Sequence, residues 1–279
     1  MRTILAIFIL TFLVSCNKKE EAASTTSGSI NAEAPYLWVN PNFPKAMQIS
    51  EEFNNTESSR IEAMGDAWSS PFGGRVDFFN YTRNADEKTI GLTNPNALDD
   101  NIFGIYRADP WPYPDYPSAL AVTQIFAFRY NRGSPSEYVA IQEADIIMNE
   151  ENFDFDDPTS IWGDNYDLRT VMLHEMGHFL GLGHKARSSV RSQSVMYPSI
   201  FSGEVKRIPQ SIDIGDLASK YNVSTNALSS NNAITSDPVV YEPNDEGTPV
   251  KIILELRADG NCVHHEDGVE VRRHLVKIK

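Results

Sequence analysis

The sequence predicts an α+β domain in which three β-rich runs precede the last two of three helices. Three β-rich runs are separated by turn residues, namely Ile102–Arg107, Ala119–Tyr130 and Tyr138–Asn149. Further along the chain, after Asp167 and again from Ser211, apolar residues recur at helical spacing. Strands first and helices later are typical of the α+β class.

Each predicted helix has a local start signal. A first helix is expected over residues 56–69, with Ser59 and Glu62 as its capping box. Asp167 is the expected N-cap of the second helix, and the third begins at Ser211. The expected buried faces of the first and third helices are Ile61, Met64 and Trp68, and Ile214, Leu217, Ala218 and Tyr221.

Composition excludes several classes of protein. The chain has 279 residues, and its 38 Asp and Glu exceed its 24 Lys and Arg, giving a net charge of −14. A nucleic-acid-binding protein would need a basic face, so that class is excluded. Two cysteines, Cys16 and Cys262, are too few for a disulfide-stapled scaffold.

The first residues have the pattern of a targeting segment. A basic start is followed by an uncharged apolar run, residues 4–14, which is shorter than the roughly 20 residues of a membrane span. The run ends in Leu13-Val14-Ser15-Cys16, which resembles the lipobox of bacterial lipoproteins. That resemblance implies a signal peptide over 1–15, an acylated Cys16 and anchoring at the cell envelope, in the outer membrane. An ordinary secretory signal with a chance cysteine is the alternative.

Composition divides the remainder into segments. Residues 16–34 are rich in Ala, Ser, Thr and Gly, which predicts a flexible tether. The main domain is expected over 35–222, and a Ser-, Asn-, Thr- and Pro-rich linker over 223–248. Residues 249–279 alternate between apolar and polar side chains, which predicts a β-hairpin extension.

Eleven residues, 174–184, concentrate the chemistry of the chain. His174 and His178 are four residues apart, so on a helix they project from one face and can bind one ion. His184 can supply a third nitrogen if the chain turns back, which Gly181 permits. Three histidines suit Zn²⁺ with one open position, and Glu175 is placed to act as general base.

This pattern, followed by Met196 in a Ser-Val-Met-Tyr-Pro turn, resembles the metzincin signature of zinc peptidases with its Met-turn. Within the metzincins the chain is similar to the matrixins, the matrix-metalloprotease-like family. The similar stretches are Glu143–Asn149, the 174–184 motif, Met196–Pro198 and Ser211–Leu217 with Tyr221. The resemblance implies a zincin catalytic domain, with substrate extended against an edge strand; Ala119–Phe128 is the candidate edge.

The chain also departs from the matrixin pattern. No histidine lies between residues 35 and 173, so the usual second, structural zinc site is not expected. Clustered acids over 150–167 are compatible with calcium or with a solvated acidic loop. Cys262–Asp267 contains metal-binding residue types without a recognised zinc spacing, and a polar hairpin tip is expected there.

Two hypotheses follow. The first is a monomeric, lipid-anchored zinc endopeptidase that hydrolyses surface-accessible proteins or peptides, with His174, His178 and His184 as ligands and Glu175 as base. The second is a weakly active or inactive surface lipoprotein of the same fold that binds a partner.

Overall fold

One mixed sheet of nine strands organises the part of the chain that the computed structural model describes, residues 34–39, 41–85, 94–156, 165–185, 193–198, 200–225, 241–258 and 262–274. The strands of this sheet are β1 (Tyr36–Leu37), β2 (Lys45–Ser50), β3 (Phe79–Ala85), β4 (Phe103–Ala108), β5 (Ala119–Tyr130), β6 (Tyr138–Asn149), β9 (Thr248–Arg257), β10 (Cys262–Glu266) and β11 (Val269–His274). A separate two-stranded pair is formed by β7 (Phe155–Asp156) and β8 (Tyr166–Asp167).

Three α-helices are seen among these residues: α1 (Asn55–Ser69), α2 (Leu168–Phe179) and α3 (Ser211–Tyr221). Short 3₁₀ turns occupy Ser70–Phe72 and Pro95–Leu98. The predicted α+β class is confirmed, since few helices accompany a large mixed sheet.

The sheet has a parallel half and an antiparallel half. Its strand order is β11-β10-β9-β5-β6-β4-β2-β3, and β1 pairs with β6. The strands β3, β2, β4 and β6 run parallel, whereas β6, β5, β9, β10 and β11 alternate in direction. The change of direction falls at β5, next to α2, so α2 lies against the junction of the two halves.

The first helix begins earlier than predicted. Its N-cap is Asn54, whose side chain accepts hydrogen bonds from Thr56 N and Glu57 N, and Glu57 completes the capping box. The predicted box of Ser59 and Glu62 is therefore wrong. Two matching patterns lie five residues apart in this segment, and the N-terminal one leaves a longer apolar face to bury.

The other two helices begin where expected. The carboxylate of Asp167 accepts a hydrogen bond from Thr170 N at 2.6 Å and caps α2, as predicted. Between α1 and α2, the indole of Trp68 donates to Leu173 O at 3.0 Å in the buried interface. This bond joins α1 to α2, and α2 also packs against β5 and β6 of the sheet.

Strand β5 is not a sheet edge, contrary to the expectation for Ala119–Phe128. It pairs antiparallel with β6 on one side and with β9 on the other. The sheet then continues through β10, so Cys262–Glu266 is a strand, and the tip of that hairpin is the turn at Asp267-Gly268. The expectation of a polar tip over the whole Cys262–Asp267 segment is wrong.

Some predictions concern residues outside the described part. The signal peptide, Cys16 and the tether up to residue 33 lie there, as do residues 226–240 of the expected linker. Residues Ala34–Lys279 form one compact unit. Within the described residues, none of the helices combines the length and apolarity that crossing a bilayer would require.

Candidate metal centre

The candidate metal centre is built on α2, which is buried except at the half-buried Arg169. His174 and His178 project from one face, one helical turn apart, and both are 0% exposed. Because α2 packs between the sheet and α1, its histidines are held in the interior of the unit rather than on its surface.

A tight turn after α2 brings the third histidine back. Gly181 has φ of 79°, and a Cβ there would lie 2.4 Å from Tyr36 O, so only glycine fits. The hydroxyl of Tyr36 donates to Leu182 O at 3.0 Å, which ties the turn to the first described strand. The chain then reaches His184, whose ring lies 4.4 Å from that of His178.

The Nε2 atoms of the three histidines converge. Nε2 of His184 lies 3.1 Å from that of His174 and 2.9 Å from that of His178. Nδ1 of His174 faces Val195 O at 2.7 Å, and Nδ1 of His178 faces Leu182 O at 2.8 Å. A carbonyl oxygen only accepts, so each Nδ1 carries the proton, and both Nε2 atoms present lone pairs to the same point.

This donor set fits a zinc ion. Ligands about 2.0–2.1 Å from tetrahedral zinc lie about 3.3 Å from one another, close to the separations seen here. Burial lowers the pKa of His174 to about 4, so the ring is in the neutral form that binds metals. The three nitrogens are a group that could hold one metal ion.

Glu175 lies beside the first of these histidines. Thr123 of β5 donates to its Oε2 at 2.6 Å, whereas Oε1 is buried and receives no hydrogen bond from the described residues. Burial raises the pKa of Glu175 to about 8, and the Thr123 hydrogen bond opposes that rise. An unpaired buried carboxylate oxygen is costly, which is typical of a group kept for chemistry.

Met196 lies beneath the helix that carries the histidines. It is 0% exposed, and its Sδ would lie 2.2 Å from a Cβ added to Gly177. Asp213 of α3 holds this turn, because its carboxylate accepts from the Ser194 hydroxyl and, at 3.1 Å, from Val195 N. Val195 O of this turn accepts a hydrogen bond from Nδ1 of His174 and so orients that ring.

His264 of β10 reaches the centre from the far end of the chain. Its Nε2 lies 2.7 Å from Nδ1 of His184, on the side of that ring away from the converging nitrogens. The sequence reasoning assigned no role to His264, to Thr123 or to Asp213, because each acts through a partner distant in sequence. Its neighbour His265 faces the opposite side of the sheet and bonds Glu255 at 3.0 Å.

Several acids of the predicted cluster over 150–167 form ion pairs or hydrogen bonds with other residues of the protein. Glu150 pairs with Arg107 at 2.7 Å, Glu151 accepts from Trp111 N, and Asp167 caps α2 and pairs with Arg207. Residues 157–164 of the cluster lie outside the described residues. Calcium binding stays a prediction.

Comparison with known proteins bears on this centre directly. Residues 122–221 match the family model of the matrixins. A 72-residue stretch is 40% identical to metalloendoproteinase 2-MMP of Arabidopsis thaliana, covering 26% of this chain and 17% of that protein. A 137-residue stretch is 28% identical to human neutrophil collagenase, covering 48% of this chain and 27% of that protein.

The predicted similarity to the matrixins is thus confirmed for residues 122–221, the matrixin-like segment. That segment contains Thr123, the three converging histidines, Glu175, Met196 and Asp213. His264 lies outside it. The alignments span about a sixth to a quarter of the curated relatives, so neither covers the greater part of the protein it matches.

Proposed function

We propose that the protein is a zinc-dependent endopeptidase. One observation carries the proposal: three imidazole Nε2 atoms converge within the matrixin-like segment, next to the buried carboxylate of Glu175. Nitrogen ligands with one position left open, together with an adjacent carboxylate base, are the parts that amide hydrolysis by a metal-activated water requires.

Each residue of the metal centre has a separate role in the proposed reaction. His174, His178 and His184 would hold the ion, which when bound supplies a Lewis acid that acidifies water and polarises a carbonyl. Glu175 accepts the proton of the attacking water at Oε1 and delivers it to the leaving amine. Thr123 holds Oε2 and so fixes the direction in which Oε1 points. Met196 lies against Gly177 of α2 and would form the apolar support under the histidines.

The substrate class and the location belong to the same proposal. The matrixin resemblance supports a protein or peptide substrate. We propose in addition that the protein acts as a monomer. The lipobox-like sequence at Cys16 supports a lipid anchor at the cell envelope, in the outer membrane. Acylation of Cys16 is tested by mass spectrometry of the N-terminal peptide from the membrane fraction.

The central experiment uses residues 34–279, since Ala34–Lys279 is one compact unit. Zinc-loaded wild type is compared with Glu175→Gln and with a control, Glu51→Gln, at an exposed position. Wild type and control should cleave an unfolded protein pool, and Glu175→Gln should lose about 10²–10⁴-fold in rate at equal zinc content. Failure to retain zinc, or equal cleavage by wild type and Glu175→Gln, would contradict the proposal.

A second candidate function is favoured by a different observation. Glu175, His174 and His178 are all 0% exposed, so in this structure the proposed base and two of the ligands are out of reach of solvent. A binding lipoprotein of this fold would show zinc at full occupancy and capture of peptides, with no turnover on a broad peptide library. Turnover by wild type that Glu175→Gln abolishes would exclude it.

A further inference from the structure

The far side of β5 is filled by the chain's own C-terminal strand. From Thr248 to Arg257, β9 runs antiparallel to β5 over nearly its whole length. An exposed strand at this place would offer unpaired backbone groups to an extended polypeptide. The protein satisfies those groups itself.

The pairing register places Leu254 of β9 between two residues that contact the metal centre. Thr123, which holds Glu175, is opposite Leu254, and Leu254 is opposite His264, which contacts His184. Directly paired residues point to the same face of a sheet, and neighbouring strands are about 4.8 Å apart. Thr123 and His264 are therefore about 10 Å apart, with Leu254 between them.

A substrate carbonyl must reach both Glu175 and the point on which the three Nε2 atoms converge. A strand in the place of β9 lies next to Thr123 and His264, the residues that contact Glu175 and His184. Leu254 is 0% exposed and packs in the same apolar cluster as Met176 of α2. Ile252 and Leu256, two residues away on either side, belong to that cluster as well.

Side-chain contacts hold β10, and with it β9, near both ends of β5. On the face of the metal centre, His264 bonds His184 at 2.7 Å. Near the other end, Arg129 of β5 forms ion pairs with Glu137 and with Glu266 of β10. These polar contacts add to the backbone ladder with β5 and to the burial of residues 252–256, so opening requires β9 to leave β5 as a unit.

We propose that β9 is a built-in occupant of the substrate groove along β5, and that this structure is the self-inhibited state of the protein. An extended polypeptide with aliphatic side chains at alternate positions, like those of Ile252, Leu254 and Leu256, takes the place of β9 when the groove opens. The inference rests on the proposed endopeptidase function and adds its regulation.

A reversible lock tests the proposal without unfolding the protein. Ala127 and Val250 are directly opposite on β5 and β9, four residues from the row that faces the centre. Opposite residues lie at a separation that a disulfide can bridge. Ala127→Cys with Val250→Cys is prepared in residues 34–279, loaded with zinc, and compared in oxidised and reduced form.

A control lock joins β9 to β10 instead. Ile253→Cys and His265→Cys lie directly opposite on the face away from the metal centre, so their disulfide leaves both strands free to leave β5 together. The single variants Ala127→Cys and Val250→Cys control for the substitutions themselves.

The first readout is association of a fluorescent peptide hydroxamate, a metal-binding substrate mimic. The oxidised β5–β9 lock should slow association at least tenfold relative to the reduced form, and the control lock should change it less than twofold. Equal rates in both states, or no binding in the reduced state, would overturn the proposal.

The second readout needs no metal. Backbone amides of β9 should exchange with solvent at least 100-fold faster than those of β6, and the oxidised lock should remove that difference. Equal protection of β9 and β6 in the unlocked protein would overturn the proposal.

The two proposals fail in different ways. If the oxidised β5–β9 lock slows hydroxamate association but the reduced protein cleaves no peptide, β9 controls access to the centre and the endopeptidase proposal fails. If peptides are cleaved equally in both lock states, the enzyme stands and β9 is a permanent part of its fold.

Discussion

Asp213 links the stability of the fold to the geometry of the metal centre. It is 0% exposed, and its carboxylate accepts hydrogen bonds from the Ser194 hydroxyl, from Val195 N at 3.1 Å and from Gln210 N at 2.9 Å. Val195 O in turn faces Nδ1 of His174 at 2.7 Å. Replacing Asp213 with Ala should therefore weaken both the fold and the binding of zinc.

The size of the effect follows from the groups left without a partner. Two buried donors, on Ser194 and Val195, cost about 1–3 kcal/mol each when unsatisfied, and the lost cap of α3 costs about 1 kcal/mol more. We expect a loss of about 3–7 kcal/mol in the free energy of unfolding. In a domain of this size that lowers Tm by roughly 6–28 °C. Loss of the group that orients a metal-ligating histidine should reduce zinc affinity about 10–100-fold.

Denaturant titration of residues 34–279 measures the first effect, and competition with a chromophoric chelator measures the second. Asp216→Ala is the matched control on the same helix, because Asp216 is 45% exposed and pairs with Lys185 at the surface. It should change stability by less than about 1 kcal/mol. If Asp213→Ala is as stable as Asp216→Ala, the buried hydrogen bonds of Asp213 do not stabilise the fold as argued. Destabilisation with unchanged zinc affinity would refute the link to His174.

Three further predictions concern the same centre. Thr123→Val should lower kcat/KM about tenfold at unchanged zinc content, because it removes the hydrogen bond that aims Glu175, and Thr123→Ser should restore it in steady-state assays. Gly181→Ala should destabilise the protein by at least about 1–3 kcal/mol in denaturant titrations, since φ is 79° and Tyr36 O is 2.4 Å from the added carbon, whereas Gly183→Ala, whose nearest neighbour is 3.5 Å away, should be tolerated. Removing zinc with a chelator should lower Tm by roughly 8–16 °C, given about 4 kcal/mol of linkage at 1,000-fold excess over Kd, and an unchanged Tm by calorimetry would count against a resident ion.

Features that depend on neighbouring residues could be predicted from the sequence. The start of α2 at Asp167 and the span of β5 and β6 follow from a local cap and from β-rich runs bounded by turns. The start of α1 could not be chosen in the same way, because Asn54 and Ser59 both begin a capping pattern. The structure has the cap at Asn54, whose side chain accepts from Thr56 N and Glu57 N, and Ser58 in the first turn is buried.

In the metal centre, too, the contacts between residues close in sequence could be predicted and those between distant residues could not. His174, His178 and His184 lie within eleven residues, so their spacing on one helix and turn already predicts convergence. Thr123 and His264 join the centre across 52 and 80 residues of chain. Their contacts depend on which strands pair and in which register, and a shift of one residue would turn both side chains to the opposite face.

The position of β9 shows where the sequence held a further signal. A hairpin with one solvated face alternates apolar and polar residues, whereas a strand covered on both faces has a continuous apolar run. Ile252-Ile253-Leu254 is such a run, and residues 252–256 are all buried. The run predicts an interior strand and argues against an exposed extension. It cannot predict that β5 is the partner, because that choice depends on the apolar surface that α2 and β5 present together.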